Sequence, residues 1–504
     1  MNGCNRKEFF LYTIAILLSF LLSLIDRFGH PVFNPDGAFY FQVAETYLSH
    51  GFHAATALFN WPFYPISVAW LSRLTHLSLY NAGYLMNVVC SAAICVVFAR
   101  VVRHLNRDFV YQCLAVLLIL IWHVFAKLRA DLTRDQGFWL FGLLSLLAFF
   151  HYVKTRKMIF SLLWFLVLSM AALYRMEGAF ILITAPLAMF FLGGCWRERL
   201  IDYFKLNLPI IVVVLFFVLG FHAFFHLIWE RAYRLLNYSR QSGGELGLVT
   251  SLVSYVWVLF NSMSMVYWLL FVLAFFQLKE NNQMKFALPV SKSKIIILLS
   301  YLLPCVLTTL AFYTKKHFLE PRYLLLLLSL CLSLAPFGLY FSYQLWQSRR
   351  KNFSVRGVLF PVVVVLLFAE LVADLYPFGT SHRYVMQAAN WVKRNVSSQT
   401  MLYTCKGRLA ILADRTAEGQ SVGWRINDSG QDSCGTSIEF PSLAQYNGQP
   451  TWVIYAVDVN GHDGVSKYTQ RQVLVKRFGE PVAQFENRHH DAMLLFKAAK
   501  TGQK

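Results

Sequence analysis

Residues 9–25 read FFLYTIAILLSFLLSLI, an apolar run with no charge, bounded by Arg6-Lys7-Glu8 before it and Asp26-Arg27 after it. An α-helix rises about 1.5 Å per residue, so roughly 20 such residues cross the hydrocarbon layer of a bilayer. The run therefore predicts a membrane-spanning helix. No small-residue cleavage pattern follows it, so it reads as a retained signal anchor. Runs of the same kind recur as far as Tyr376, centred near Leu17, Val89, Leu117, Leu144, Leu166, Ala185, Val214, Phe260, Leu303, Leu330 and Val365, about eleven in all. Hydrophobic residues make up 57% of the chain and charged residues only 14%, which excludes an ordinary soluble enzyme. The net charge of +20 does not point to nucleic acid, because Lys and Arg are scattered through short loops between apolar runs.

An odd number of spans places the termini on opposite sides. With the N-terminus inside, the cytoplasmic segments (Arg100, Arg103, Arg107, Lys154, Arg156 and Lys157 among others) hold more basic residues than the opposite short loops, as the positive-inside rule requires. The expected fold is an all-α polytopic membrane bundle, N-in and C-out, over residues 1–377, with a small extracytoplasmic α/β domain over 378–504.

Two outer segments are too long to be simple connections: the first loop, from Asp26 to about Leu79, and the tail. In the loop, residues 37–50 predict an amphipathic helix and residues 62–74 an interfacial one. In the tail, residues 381–395 have helical periodicity. Short β-prone runs follow at 401–405, 409–413, 451–457 and 493–496. Cys405 and Cys434 are the cysteines expected outside the spans on the oxidising side, either as a disulfide or as two thiols.

Ionisable groups beside spans are costly and so are functional candidates. Here they gather at the outer ends, while the span centres are nearly free of charge, unlike a proton-coupled carrier. Asn34-Pro35-Asp36-Gly37-Ala38-Phe39-Tyr40 places an acid at a helix start, where it serves either as a cap or as a chemical group. Asp135, in Thr133-Arg134-Asp135-Gln136-Gly137, carries the same two readings. Tyr174-Arg175-Met176-Glu177-Gly178 sets a cation and an anion in one tight turn, as an ion pair or a functional pair. Lys315, Lys316, Glu320, Arg322 and Tyr323 form a basic segment suited to phosphate or to lipid headgroups.

In their order and their placement at span ends, these motifs resemble the C-type glycosyltransferase superfamily, in its branch of protein O-mannosyltransferases and bacterial aminoarabinose transferases. The resemblance extends over roughly the whole chain in layout. It implies inverting transfer of a sugar from a polyprenyl-phosphate donor to a glycan, lipid or protein acceptor, at the outer face of a bacterial cytoplasmic membrane. On that resemblance Asp36 is the catalytic base, and Arg322 with Lys315 or Lys316 binds the donor phosphate. Asp135 and Glu177 position the acceptor or hold a divalent cation, and Arg134, Arg175 and Glu320 are further candidates. Members of the family often carry a paired acid at the first-loop motif, whereas Gly37 follows Asp36 here, which weakens a two-carboxylate metal site. The rival function is a transporter or flippase for a lipid-linked sugar.

Overall fold

The computed structural model describes residues 6–29, 32–220, 248–278, 284–286, 290–349, 355–375, 382–397, 400–404, 407–415, 421–422, 452–459 and 467–499. Cys405 and Cys434 lie outside the described residues. In chain order the helices are α1 (Arg6–Gly29), α2 (Pro35–Leu58), α3 (Phe63–Thr75), α4 (Leu79–Leu105), α5 (Phe109–Leu120), α6 (His123–Ala130), α7 (Asp135–Thr155), α8 (Met158–Tyr174), α9 (Glu177–Thr184) and α10 (Trp196–Gly220). After these come α11 (Leu248–Asn261), α12 (Met265–Leu273), α13 (Lys292–Lys316), α14 (Leu325–Leu332), α15 (Ala335–Arg349) and α16 (Val355–Leu375). The chain forms two compact units, Met1–Ser23 with Leu85–Arg129 and Arg134–Asp374, and Leu24–Tyr84 with Ala130–Thr133 and Leu375–Lys504.

All eleven expected span centres fall in helical segments of the structure. Among the described residues, five helices are long and apolar enough to cross a membrane, and up to eight spans result if each bent pair is counted once. The bent pairs are α5 with α6 (58°), α11 with α12 (93°), and the segment 321–332 with α15 (46°). The centres at Leu166 and Ala185 fall in shorter apolar helices, Met158–Tyr174 and Glu177–Phe191; the second tightens to a 3₁₀ turn from Ala185. At about 1.5 Å per residue, such helices are shorter than the hydrocarbon layer is thick.

Several polar side chains inside the first unit pair with one another, which lowers the cost of holding them in an apolar surround. Trp164 Nε1–H donates to the Tyr301 hydroxyl at 2.9 Å, and that hydroxyl lies 3.0 Å from Ser145 Oγ, tying α8, α13 and α7 together. Glu8 pairs with Arg103 at 2.6 Å. On α16, by contrast, Val362, Val365, Leu366 and Phe368 are exposed, and only 11% of its apolar window is buried in the protein. Such a face is stable against lipid rather than water.

In the second unit, α2 breaks at Gly51, whose φ of 83° belongs to the left-handed region. Helices occupy both loop stretches expected to be helical, 37–50 within α2 and 62–74 largely as α3. The tail adds α17 (Arg383–Asn395), β3 (Met401–Thr404), α18 (Gly407–Leu412), β4 (Ser421–Val422), β5 (Trp452–Val459), α19 (Lys467–Phe478), β6 (Ala483–Glu486) and β7 (Ala492–Ala499), following a hairpin of β1 (Phe276–Leu278) and β2 (Met284–Phe286) in the first unit. Its five-stranded sheet runs β4-β3-β5-β7-β6, with β4, β3 and β5 parallel and β7 antiparallel to both β5 and β6. Tyr384, Val385, Ala388, Ala389 and Val392 form the buried stripe of α17. They pack with Leu402, Leu409, Ala410 and Met493, and Val32 of the loop covers the same core.

One expected strand is a helix. Residues 409–413 were predicted as β-prone, yet Gly407–Leu412 is α18, because Leu409, Ala410 and Ala413 meet the core at helical rather than alternating spacing. A second tail feature gives a pH prediction. Partial burial raises Asp491, but the Lys467 ammonium at 2.5 Å and the Asn487 amide at 2.9 Å outweigh it and hold the carboxyl below its ordinary range. A depressed carboxyl stabilises the fold above its unfolded pKa of about 3.9, and the contribution is lost as pH falls through the lower folded value. The difference in thermal midpoint between wild type and Lys467→Met is therefore expected to be constant from pH 7 to about 5 and to shrink below about 4. A difference that grows on acidification would refute the assignment.

Candidate functional site

The Asp36 motif opens α2. Asn34, not Asp36, takes the N-cap position, with φ −66° and ψ 160°, and Pro35 fills the first helical position, where its missing N–H costs little. Asp36 is half-buried in the first turn, where a helix N-terminus favours a carboxylate by about 0.3–1 kcal/mol. The Asn34 side chain makes no cap bond. Its Oδ1 instead accepts the Leu132 N–H at 3.0 Å, fastening the motif to residues 130–133. A Cβ at Gly37 would lie 3.0 Å from Leu132 Cβ and 3.1 Å from Asn34 Oδ1, so the glycine permits this close approach. Phe33, buried between the rings of Phe41 (5.3 Å) and Tyr80 (5.2 Å), anchors the other side. The backbone carrying Asp36 is therefore held on two sides.

The remaining candidates belong to the first unit, and several converge there on Arg175. Its Nη1 pairs with Asp135 Oδ1; its Nη2 and Nε reach Glu177 Oε1 at 2.5 and 3.1 Å. All three side chains are largely buried, that of Asp135 only 4% exposed. Local packing makes this possible. A Cβ at Gly137 would collide with the Tyr174 ring, so α7 and α8 close together at the level of Arg175, and one at Gly178 would lie 2.5 Å from the Ala172 backbone N. Arg175 also sits 4.6 Å over the Tyr323 ring, which the Arg322 guanidinium approaches to 5.2 Å. Arg322 pairs with Glu320. Lys315 is exposed at the end of α13, and the Lys316 side chain lies outside what the structure describes. Arg134 precedes α7 at its N-cap position, so Asp135 is the first helical residue and not the cap.

Asp135, Arg175, Glu177, Glu320 and Arg322 are thus brought together, and Tyr323 joins them, a residue the sequence motif contained without a role. Asp36 belongs to the other unit. As a cation site the carboxylates do not fit: Asp135 and Glu177 are both turned onto one guanidinium. Among the described residues, no group of three or more His, Cys, Asp and Glu side chains is placed to hold a metal. What the cluster offers is a rigid pair of guanidiniums around one phenol ring.

Long apolar helices with lipid-compatible faces and a mixed-sheet tail define a polytopic helical membrane protein with an α/β domain. Its fold is that of ArnT from Cupriavidus metallidurans. The crystal structure of that protein in the apo state superposes with a TM-score of 0.52 at 12% identity, covering 96% of this chain and 97% of that one. The structure of the same protein bound to undecaprenyl phosphate gives 0.50, at 12% identity and full coverage of both chains. No family model matches the chain, and no curated protein matches it in sequence.

Proposed function

We propose that this protein is an inverting glycosyltransferase that moves a sugar from a polyprenyl-phosphate donor to an envelope glycan, lipid or protein acceptor at the outer face of the bacterial cytoplasmic membrane. The observation that carries the proposal is the end-to-end shared fold with ArnT, which binds undecaprenyl phosphate. An acceptor hydroxyl is a weak nucleophile, so a carboxylate must take its proton as the new bond forms. Asp36 has that role. The acceptor oxygen attacks the anomeric carbon opposite the phosphate, the carbon–oxygen bond to phosphate breaks, and polyprenyl phosphate leaves with the electron pair. Arg322, with Lys315 and Lys316, stabilises the charge developing on that phosphate. Asp135 and Glu177 act as positioning residues, fixing Arg175 against Tyr323. No step requires a metal in this scheme.

The three bent helix pairs favour a second reading, because broken helices are a feature of transporters. Purified protein in detergent, where no sealed compartment exists, separates the two. With labelled polyprenyl-phosphate sugar and a crude envelope acceptor, the transferase releases polyprenyl phosphate at a protein-dependent rate. Absence of turnover there, combined with transbilayer movement of the same lipid in vesicles, would favour the transporter.

A further inference from the structure

Within the second unit, a cleft of about 340 Å³ separates α2 and the start of α4 from α17 and α18. We propose that it binds an uncharged or amine-bearing saccharide, and, resting on the transferase reading above, that this saccharide is part of the acceptor. Its volume lies within the roughly 300–1,000 Å³ range of small-ligand clefts. Its aromatic wall is Phe41 and Tyr80, with centroids 6.2 Å apart and rings crossed at 84°. Tyr80 is held by its neighbours: the Arg27 guanidinium lies 3.9 Å over its ring and Phe33 packs at 5.2 Å. A ring held this way and lining the cleft can meet the C–H surface of a sugar without further ordering cost.

Asn81 and Asn390 stand exposed on opposite walls. A carboxamide offers two donors and an acceptor, a match for neighbouring sugar hydroxyls. The charges give an anion no advantage. Among the described residues lining the cleft, Lys393 is the one cation, and Asp414 takes it at 2.5 Å, while Glu45 adds a carboxylate. Counting the Arg27 guanidinium over Tyr80 with Lys393, Asp414 and Glu45, the charges at the cleft balance, so in a chain of net charge +20 it has no cationic excess to draw phosphate or an anionic headgroup, and a neutral or ammonium-bearing ring is accommodated.

The test uses the full-length protein in detergent without donor lipid, so it is independent of turnover. Three disaccharides serve as probes, N,N′-diacetylchitobiose, the de-acetylated glucosamine dimer and a sulfated disaccharide, with binding followed by saturation-transfer NMR. Saturable binding of a neutral or amino probe is expected, weakened at least tenfold by Asn390→Trp and by the smaller change Asn81→Ala. Both asparagines are exposed, and unchanged thermal midpoints would show the variants folded. If no probe saturates, if folded Asn390→Trp binds like wild type, or if the sulfated probe binds best, the proposal is wrong. Saccharide binding without turnover in detergent would leave the cleft standing and remove the transferase; turnover with unchanged acceptor KM in both cleft variants would do the reverse.

Discussion

Asp36→Asn is expected to fold normally and to lower sugar transfer by about two to four orders of magnitude, the usual worth of a positioned general base. Asn matches Asp in shape, and the Asn34 Oδ1 bond to Leu132, the close approach at Gly37 and the burial of Phe33 all help place the motif and are kept in the variant. In the first turn of α2 the helix N-terminus favours the carboxylate by about 0.3–1 kcal/mol. Stability and rate therefore respond on different scales to one substitution, and measuring both distinguishes a base from a structural acid. The rate is read as a single turnover of labelled polyprenyl-phosphate sugar at saturating acceptor, so that changes in binding do not enter. Wild-type turnover in the folded variant would eliminate Asp36 as the base.

Why the spans were legible and the site was not comes down to how each is encoded. A lipid-facing helix writes its environment into every residue, so all eleven apolar centres found helices. The bends between Leu120 and His123 or between Asn261 and Met265 leave no comparable mark, because a span and a broken span have the same apolar composition. Residues 409–413 show the opposite failure: a short apolar run fits a strand or a buried helix, and tertiary packing chose the helix. At the site, Arg175 and Glu177 are near neighbours and their pairing could be anticipated. The partner Asp135 lies 40 positions away, and nothing in its local sequence distinguishes a carboxylate that caps a helix from one that binds a guanidinium. Tyr323 takes its place from the fold alone, which sets its ring beneath Arg175. The facing asparagines of the cleft come from α4 and α17, and neither stands in a motif.

Arg175→Met is expected to have the largest effect on stability. The substitution preserves apolar volume but removes the guanidinium that pairs directly with both Asp135 and Glu177, whose side chains are 4% and 16% exposed. Breaking a buried ion pair from one side costs about 3–5 kcal/mol, because the orphaned charge remains desolvated. Arg175→Lys is expected to fall between, since a single ammonium cannot present the planar fork that spans two carboxylates. The decisive variant adds Asp135→Asn and Glu177→Gln to Arg175→Met. With no charge left to desolvate, most of the lost stability should return, a non-additivity that only residues in one network show. Thermal unfolding in detergent reads all three, and a wild-type midpoint for Arg175→Met would show that the cluster is not the buried network described. The triple variant then asks what the network is for. If it is stable yet slow, with kcat reduced while donor KM is unchanged, Arg175 acts by holding Tyr323 and Arg322 in place for the transition state rather than by holding the fold together.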